Sequence, residues 1–233
     1  MHAPTSGRTV NSMKRFLYEH SLTIVLLSIF TASVIGMSIV GWQTANRDLR
    51  DHHQPEEGYV EYLGSGDFIE GVFENWESEF LQMWALVVLT IWLRQKGADD
   101  SKPLRGKTPQ DTSSRYSIIG AANWHDRGRA VRHTLYAHSL SLALISIFAL
   151  SFILHAMGGA SAYNEEADYY HRPHVTPLSY VGTSQFWYES LQNWQSEFLA
   201  VATLLVLSIK LRERGSPESK PVGKSYDKQT GGA

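Results

Sequence analysis

The chain has 233 residues and a formal net charge of −2, so no single sign of charge dominates and nucleic acid is not indicated as a partner. Cysteine is absent, which excludes disulfides, thiolate metal sites and cysteine nucleophiles. The apolar residues are bunched into runs with the charged residues between them, and this distribution favours a membrane protein over a soluble domain.

Residues 1–16 are predicted to form an N-terminal tail that precedes the first apolar run. Residues 22–41 contain no charged side chain. Roughly 20 apolar residues suffice to cross a hydrocarbon core of ~30 Å, so a membrane-spanning helix is predicted over about 20–41. Met13-Lys14-Arg15 followed by this run also resembles a signal peptide, and the sequence leaves open whether translation starts at Met1 or Met13.

The second predicted helix is less apolar than the first. Residues 80–93 form an apolar run of only fourteen residues, which is short for a crossing. Apolar side chains further upstream fall on one helical face, so the helix is predicted to extend over about 68–95. At ~1.5 Å per residue such a helix is ~40 Å long, and its acidic first turns must reach into the interface or beyond it.

The rest of the chain repeats this pattern at an offset of 118 residues. Residues 17–103 and 135–221 share 34 identities in 87 aligned positions without a gap, which indicates a tandem duplication. The duplication argues against a signal peptide, because the same apolar run recurs deep inside the chain at 140–159. The remaining predicted segments are a polar linker at 104–134, helices at about 136–159 and 186–213, and a tail at 222–233.

The distribution of Lys and Arg predicts the orientation. Residues 1–21, 94–134 and 210–233 hold three, nine and six of them, which is 18 of the 21 in the chain. By the positive-inside rule both termini and the linker are cytoplasmic. The predicted fold class is therefore an all-α membrane protein with four transmembrane helices. They form two tandem helical hairpins, related by a parallel pseudo-two-fold axis and packed as a four-helix bundle.

Three motifs are shared by the two copies. They are Tyr-x-His-Ser-Leu before the first apolar run, Asn-Trp-x-Ser-Glu-Phe-Leu at the start of the second, and Leu-Arg-x-x-Gly-x-x-x-Ser-Lys-Pro after it. From Leu17 to Pro221 the chain resembles a family of uncharacterised bacterial membrane proteins with a domain of unknown function. The resemblance implies a location in the bacterial cytoplasmic membrane, and it brings no activity, ligand or catalytic residue with it.

Glu79 and Glu197 are the first candidates for a functional site. By the helix rise, Glu79 is predicted to lie ~21 Å from the inner membrane boundary, where a charged carboxylate is costly and is usually paired or protonated. One hypothesis is that the two carboxyls meet across the pseudo-two-fold axis and bind a cation or carry protons. The other is that each bonds a neighbouring helix and holds its hairpin together. Side chains within about a turn of that depth are Ser33, Ser151 and His155.

The remaining polar candidates have narrower roles. His155 aligns with Met37. One hypothesis pairs it with Glu197 as an asymmetric and pH-sensitive feature, and the other is that the histidine is merely accommodated in the helix packing. His20 and His138 would lie ~20 Å from the glutamates, too far to share a metal ion. No metal ligand, cofactor or catalytic residue is therefore predicted. An interface motif at the start of the second and fourth helices comprises Asn75, Trp76, Ser78, Asn193, Trp194 and Ser196.

Three functional classes stay open from sequence. The expected one is a structural or interaction protein of the membrane, such as a scaffold tied to envelope stress, with the bilayer, a second copy or another membrane protein as partner. The alternative is a small oligomeric transporter or channel for protons or cations that uses Glu79 and Glu197. An enzyme has no positive support, because the sequence contains no phosphate-binding glycine loop, Ser-His-Asp arrangement or His-Glu-x-x-His zinc motif.

Overall fold

The computed structural model describes residues 6–106, 108–111 and 124–225. Over these residues the chain forms eight α-helices, one 3-10 turn at Pro109–Asp111 and no strand, which confirms the expected all-α class. The helices are α1 (Ser6–Glu19), α2 (Ser21–Asp51), α3 (Tyr59–Tyr62), α4 (Gly66–Trp92), α5 (Trp124–Ala137), α6 (Ser139–Tyr169), α7 (Pro177–Tyr180) and α8 (Ser184–Lys210).

Two helices are long and apolar enough to cross a membrane. They are α2 and α6, each of 31 residues, whose apolar windows have a mean hydropathy of 2.3 and 2.2. Only 6% and 17% of these windows are buried within the chain, and apolar side chains such as Leu22 and Ile29 are largely exposed. Burial in the core of a soluble domain therefore does not account for them, and their length and composition make them candidate membrane spans.

The other two predicted spans form helices without meeting that criterion. Of the described helices, two are candidate spans where the sequence predicted four. Helices α4 and α8 have 27 residues each, and their first halves carry acidic and amide side chains that dilute the apolar run. Their bounds lie within about three residues of the predicted ones at either end.

Several elements extend further than the sequence predicted. Helices α2 and α6 continue about ten residues beyond the predicted ends at 41 and 159, because the polar segments that follow the apolar runs keep the helical hydrogen-bond pattern. Helix α1 occupies most of the predicted N-terminal tail, and α5 occupies the end of the predicted linker. Residues 112–123 of that linker and 226–233 of the C-terminal tail lie outside the described residues.

The chain divides into two compact units, residues 1–68 (unit 1) and 69–233 (unit 2). In unit 1 the loop after α2 folds back onto that helix. The buried Asn46 side chain exchanges two hydrogen bonds with the main chain of Glu57, at 3.1 and 2.8 Å. Gly41 leaves room for the ring of Tyr62, since a Cβ at this glycine would lie 2.0 Å from the Tyr62 hydroxyl.

Unit 2 uses the same arrangement after α6. Asn164 exchanges two hydrogen bonds with the main chain of Val175, at 2.9 and 2.7 Å. Gly159 makes room for the ring of Tyr180, because a Cβ there would lie 2.3 Å from Tyr180 Cε1. The buried apolar core beside this contact consists of Ala156, Ala160, Tyr180 and Phe186. This core fixes the positions of α6, α7 and the start of α8 around the site described next.

Candidate functional site

The two glutamates singled out from sequence do not form the buried site. Glu79 is exposed within the chain and Glu197 is half-buried, whereas Glu77 has no exposed surface. Two residues along a helix correspond to a rotation of about 200°, so Glu77 and Glu79 point to opposite faces of α4. Of the two serines predicted at the same depth, Ser151 is buried and Ser33 is exposed.

His155 pairs with Glu77, and not with Glu197 as one of the two sequence hypotheses had it. Its Nδ1 lies 2.7 Å from Glu77 Oε2, and both side chains are completely buried. The indole Nε1 of Trp194 donates to the other oxygen, Glu77 Oε1, at 3.1 Å. Because a carboxylate accepts hydrogen bonds, the imidazole donates from Nδ1. The two donors fix the Glu77 carboxylate, and Glu77 in turn fixes the imidazole.

The second ring nitrogen of His155 faces Glu189. His155 Nε2 lies 3.5 Å from Glu189 Oε2 and is fully buried, and it makes no hydrogen bond to any described residue. The buried ring of Phe186 stacks on the imidazole, with the centroids 4.6 Å apart and the planes at 25°. This stacking holds the plane of the imidazole, so the direction of Nε2 is set by the fold.

Tyr180 holds two carboxylates close together. Its hydroxyl oxygen lies 3.0 Å from Glu70 Oε1 and 2.8 Å from Glu189 Oε2. A phenol has one proton and donates to one of these carboxylates at a time. Burial, together with the neighbouring Glu70 and Glu189 carboxylates, raises the pKa of Tyr180, so the hydroxyl keeps that proton. Glu70 and Glu189 therefore share a donor and lie on the same side of the imidazole.

Two adjacent glycines of α6 allow this approach. A Cβ at Gly158 would lie 2.5 Å from the main-chain nitrogen of Glu70, and one at Gly159 would lie 2.6 Å from Glu70 Oε1. Real Cβ atoms do not approach other atoms this closely, so α4 contacts α6 at a point where only glycine fits. Close backbone contact through small residues is typical of membrane helix packing, and here it places Glu70 beside His155.

We call Glu70, Glu77, His155 and Glu189, with Tyr180 and Trp194, the acidic–histidine cluster. One ligand atom each from Glu70, His155 and Glu189 lies within 4.8 Å of the other two. Three carboxyl groups thus surround one imidazole; His155 and Glu77 are completely buried, whereas Glu70 and Glu189 are partly exposed. Buried negative charge is costly unless a positive partner or protons balance it. The charge of such a cluster can be balanced by protons on the imidazole and the carboxyls or by a bound cation.

Most residues of this cluster lie outside the motifs that the two halves of the chain share, so the motifs did not predict them. At the offset of 118, Glu77 aligns with Gln195, Glu189 with Gly71 and His155 with Met37. One signal was present: Glu70 and Glu77 are seven residues apart and so lie on one face of α4. Acidic residues on one face without a counterpart in the other copy would have indicated the site.

The interface motif divides between two roles. Asn75 Nδ2 donates to Gly71 O at 2.9 Å, and Asn193 Nδ2 donates to Glu189 O at 3.3 Å. The Ser78 and Ser196 hydroxyls also donate to carbonyls of their own helices, each at 2.8 Å. Trp76 contacts the rings of Phe73 and Phe80, whereas Trp194 belongs to the acidic–histidine cluster.

The comparisons with known proteins identify the family. The family model described as "Domain of unknown function (DUF6766)" matches residues 13–232, and the chain belongs to this family. The match confirms the resemblance of the sequence motifs to a family with a domain of unknown function. No curated protein and no solved structure matches the chain. The family assignment brings no activity, so a functional hypothesis rests on the geometry of the site.

Proposed function

We propose that this chain is a multi-pass membrane protein that binds and moves a cation, with the acidic–histidine cluster as its binding site. The observation that carries the proposal is the complete burial of His155 and Glu77, with the Glu70 and Glu189 carboxylates beside them. Ionisable side chains in membrane helices are costly, and they usually mark ion or proton pathways.

Four crossings are part of this proposal. The bounds of α2, α3 and α4 and those of α6, α7 and α8 correspond at an offset of 118 residues, which supports equal roles for α4 and α8 in two hairpins. A helix of 27 residues is ~40 Å long and has the reach to cross the bilayer with its polar first turns outside the hydrocarbon. The positions of Lys and Arg favour cytoplasmic termini in a bacterial cytoplasmic membrane.

The depth of the cluster fits an ion site near the outer surface. His155 lies four residues before residue 159, where the apolar run of α6 ends, which is ~6 Å along the helix axis. At this depth a cation reaches the carboxylates without crossing the centre of the bilayer, where the desolvation cost is highest. The cluster thus replaces Glu79 and Glu197 in the transport hypothesis.

The scaffold hypothesis remains a prediction and assigns the cluster a different role. If the cluster only holds α4, α6 and α8 together, neutral amides of the same shape would preserve the protein and any ion flux. If the cluster binds a cation, the carboxylate charge is required. The two hypotheses therefore differ in what happens when charge is removed and shape is kept.

The test is ion flux in proteoliposomes that contain the purified chain and an internal pH-sensitive or metal-sensitive dye. We expect the unmodified chain to give cation-dependent flux and Glu189→Gln to abolish it, while the exposed-site control Glu79→Gln keeps it. Absence of flux from the unmodified chain with every cation tried, or equal flux from Glu189→Gln, would contradict the proposed function. Size-exclusion chromatography confirms that each variant is folded.

A further inference from the structure

We propose that the acidic–histidine cluster binds a divalent first-row transition-metal ion, such as Zn²⁺, through Glu70, His155 and Glu189. The inference rests on the proposed function, since it names the cation at the same site. It also assigns a bound metal ion to the site, whereas no metal ligand was predicted from the sequence.

The spacing of the three side chains suits one shared ion. Two ligands bound tetrahedrally to Zn²⁺ at ~2.0–2.1 Å are about 3.3 Å apart. His155 Nε2 and Glu189 Oε2 lie 3.5 Å apart, close to that value. With Glu70 included, the three ligand atoms lie within 4.8 Å of one another. Small side-chain rotations of Glu70 complete the convergence, and its carboxylate is already held towards Glu189 by Tyr180.

The orphaned nitrogen of His155 is the independent observation. Its Nε2 is buried, aims at Glu189 and makes no hydrogen bond to any described residue. Glu189 Oε2, at 3.5 Å, lies beyond the usual N–H···O distance. A buried polar atom without a hydrogen bond is costly, and an ion bound between the two would satisfy both. The neutral imidazole that binds a metal through Nε2 carries its proton on Nδ1, which is the nitrogen that faces Glu77.

The hydrogen bond on the other ring nitrogen of His155 is the one usually found at metal-binding histidines. Such histidines almost always donate their second ring N–H to a carboxylate or carbonyl, which fixes the tautomer and makes the imidazole a better ligand. Glu77 accepts that hydrogen bond, and the Trp194 indole fixes Glu77. Tyr180 similarly orients the two carboxylate ligands from outside. Glu77, Trp194 and Tyr180 are thus positioning residues.

The donor set indicates the class of ion. Ca²⁺ takes six to eight oxygen ligands and Mg²⁺ favours oxygen with retained water, so an imidazole nitrogen favours neither. Imidazole with carboxylates suits Zn²⁺ and its first-row neighbours. Three protein ligands leave a coordination position for water or an exchanging ligand, which is the arrangement of a site that is not purely structural.

The test starts from detergent-solubilised protein from which a chelator has removed any metal. Calorimetry then measures the affinity for Zn²⁺, and mass spectrometry measures the metal content. We expect one ion per chain, at least tenfold weaker binding in His155→Ala and Glu189→Gln, and ~10–100-fold weaker binding in Glu77→Gln. The matched control is His174→Ala, because His174 is an exposed histidine that is paired with Asp168 at 2.7 Å. Its affinity should equal that of the unmodified chain.

A measurement on the unmodified chain covers the case in which the variants fail to fold. X-ray absorption of the zinc-loaded protein should show one imidazole and oxygen ligands at ~2.0–2.1 Å. No bound zinc, no imidazole signal, or equal affinity in folded His155→Ala overturns the inference. If flux of another cation persists in chelator, only the metal assignment fails. If zinc binds but no flux occurs, the metal site stands and the proposed transport fails.

Discussion

His155 Nδ1 and Glu77 Oε2 lie 2.7 Å apart although 78 residues separate them in the chain, and neither side chain has any exposed surface. The contact joins α6 to α4 within unit 2. A buried pair of this kind contributes little when intact, but removal of one partner leaves the other without compensation. The stability of unit 2 should therefore respond strongly to truncation of either residue.

Glu77→Ala is expected to destabilise the folded protein by ~3–5 kcal/mol, because it leaves the His155 ring and the Trp194 N–H without their acceptor. The measurement is reversible unfolding in mixed detergent micelles. Glu79→Ala is the matched control, two residues away on the exposed face of the same helix, and its cost should stay within ~0.5 kcal/mol. Equal effects of the two substitutions would show that the buried pair does not stabilise the fold.

Gly158→Ala is expected to cost ~1–3 kcal/mol by overpacking. The added Cβ would lie 2.5 Å from the main-chain nitrogen of Glu70, and relief requires α4 to shift away from α6. Gly36→Ala is the control, since a Cβ on Gly36 would meet no atom within 4 Å. Because alanine favours a helix over glycine by ~1 kcal/mol, the control should be neutral or stabilising. A stable Gly158→Ala protein would contradict the close approach of the two helices.

Alkaline pH is expected to destabilise unit 1 through Tyr62. Burial, and then the Asp67 and Glu57 carboxylates, raise the pKa of this tyrosine above its unfolded value. The folded state then holds the phenolic proton more tightly, so its stabilisation is complete below about pH 10 and is lost as the pH rises further. Unfolding curves between about pH 8 and pH 11 should show the stability of the wild type falling relative to that of Tyr62→Phe as the pH rises. Parallel curves would refute this effect.

Single cysteines test the number of crossings, because the chain has none of its own. Each variant carries one cysteine at an exposed position and is treated with a membrane-impermeant thiol reagent, which labels only cysteines outside the cell. The variants are Gln54→Cys, Arg105→Cys, Leu178→Cys and Glu218→Cys. Four crossings predict labelling from outside at 54 and 178 only. Two crossings, by α2 and α6, predict labelling at 54 and 105 instead. The pattern on intact cells therefore decides whether α4 and α8 span the bilayer.

The two long apolar runs are evident in the sequence without any structure. Residues 22–41 and 140–159 lie in α2 and α6, because a long uncharged run has few alternatives to an exposed apolar helix. The periodicity of the apolar side chains predicts the bounds of α4 and α8 to within about three residues. The periodicity does not decide whether α4 and α8 cross the membrane. Acidic and amide residues lower their mean hydropathy, and of the described helices only α2 and α6 qualify as candidate spans.

The helical class and the family follow from the amino-acid sequence alone, because local hydrophobicity and shared motifs are properties of neighbouring residues. Which glutamate is buried depends on the packing of the helices. Glu77 and Glu79 differ by two positions and by about half a turn, and the neighbouring helices choose between their faces. Gly158 and Gly159 bring α4 against α6, and Tyr180 and Trp194 then orient the carboxylates around His155. Such a site arises from packing between distant segments, which no local pattern encodes.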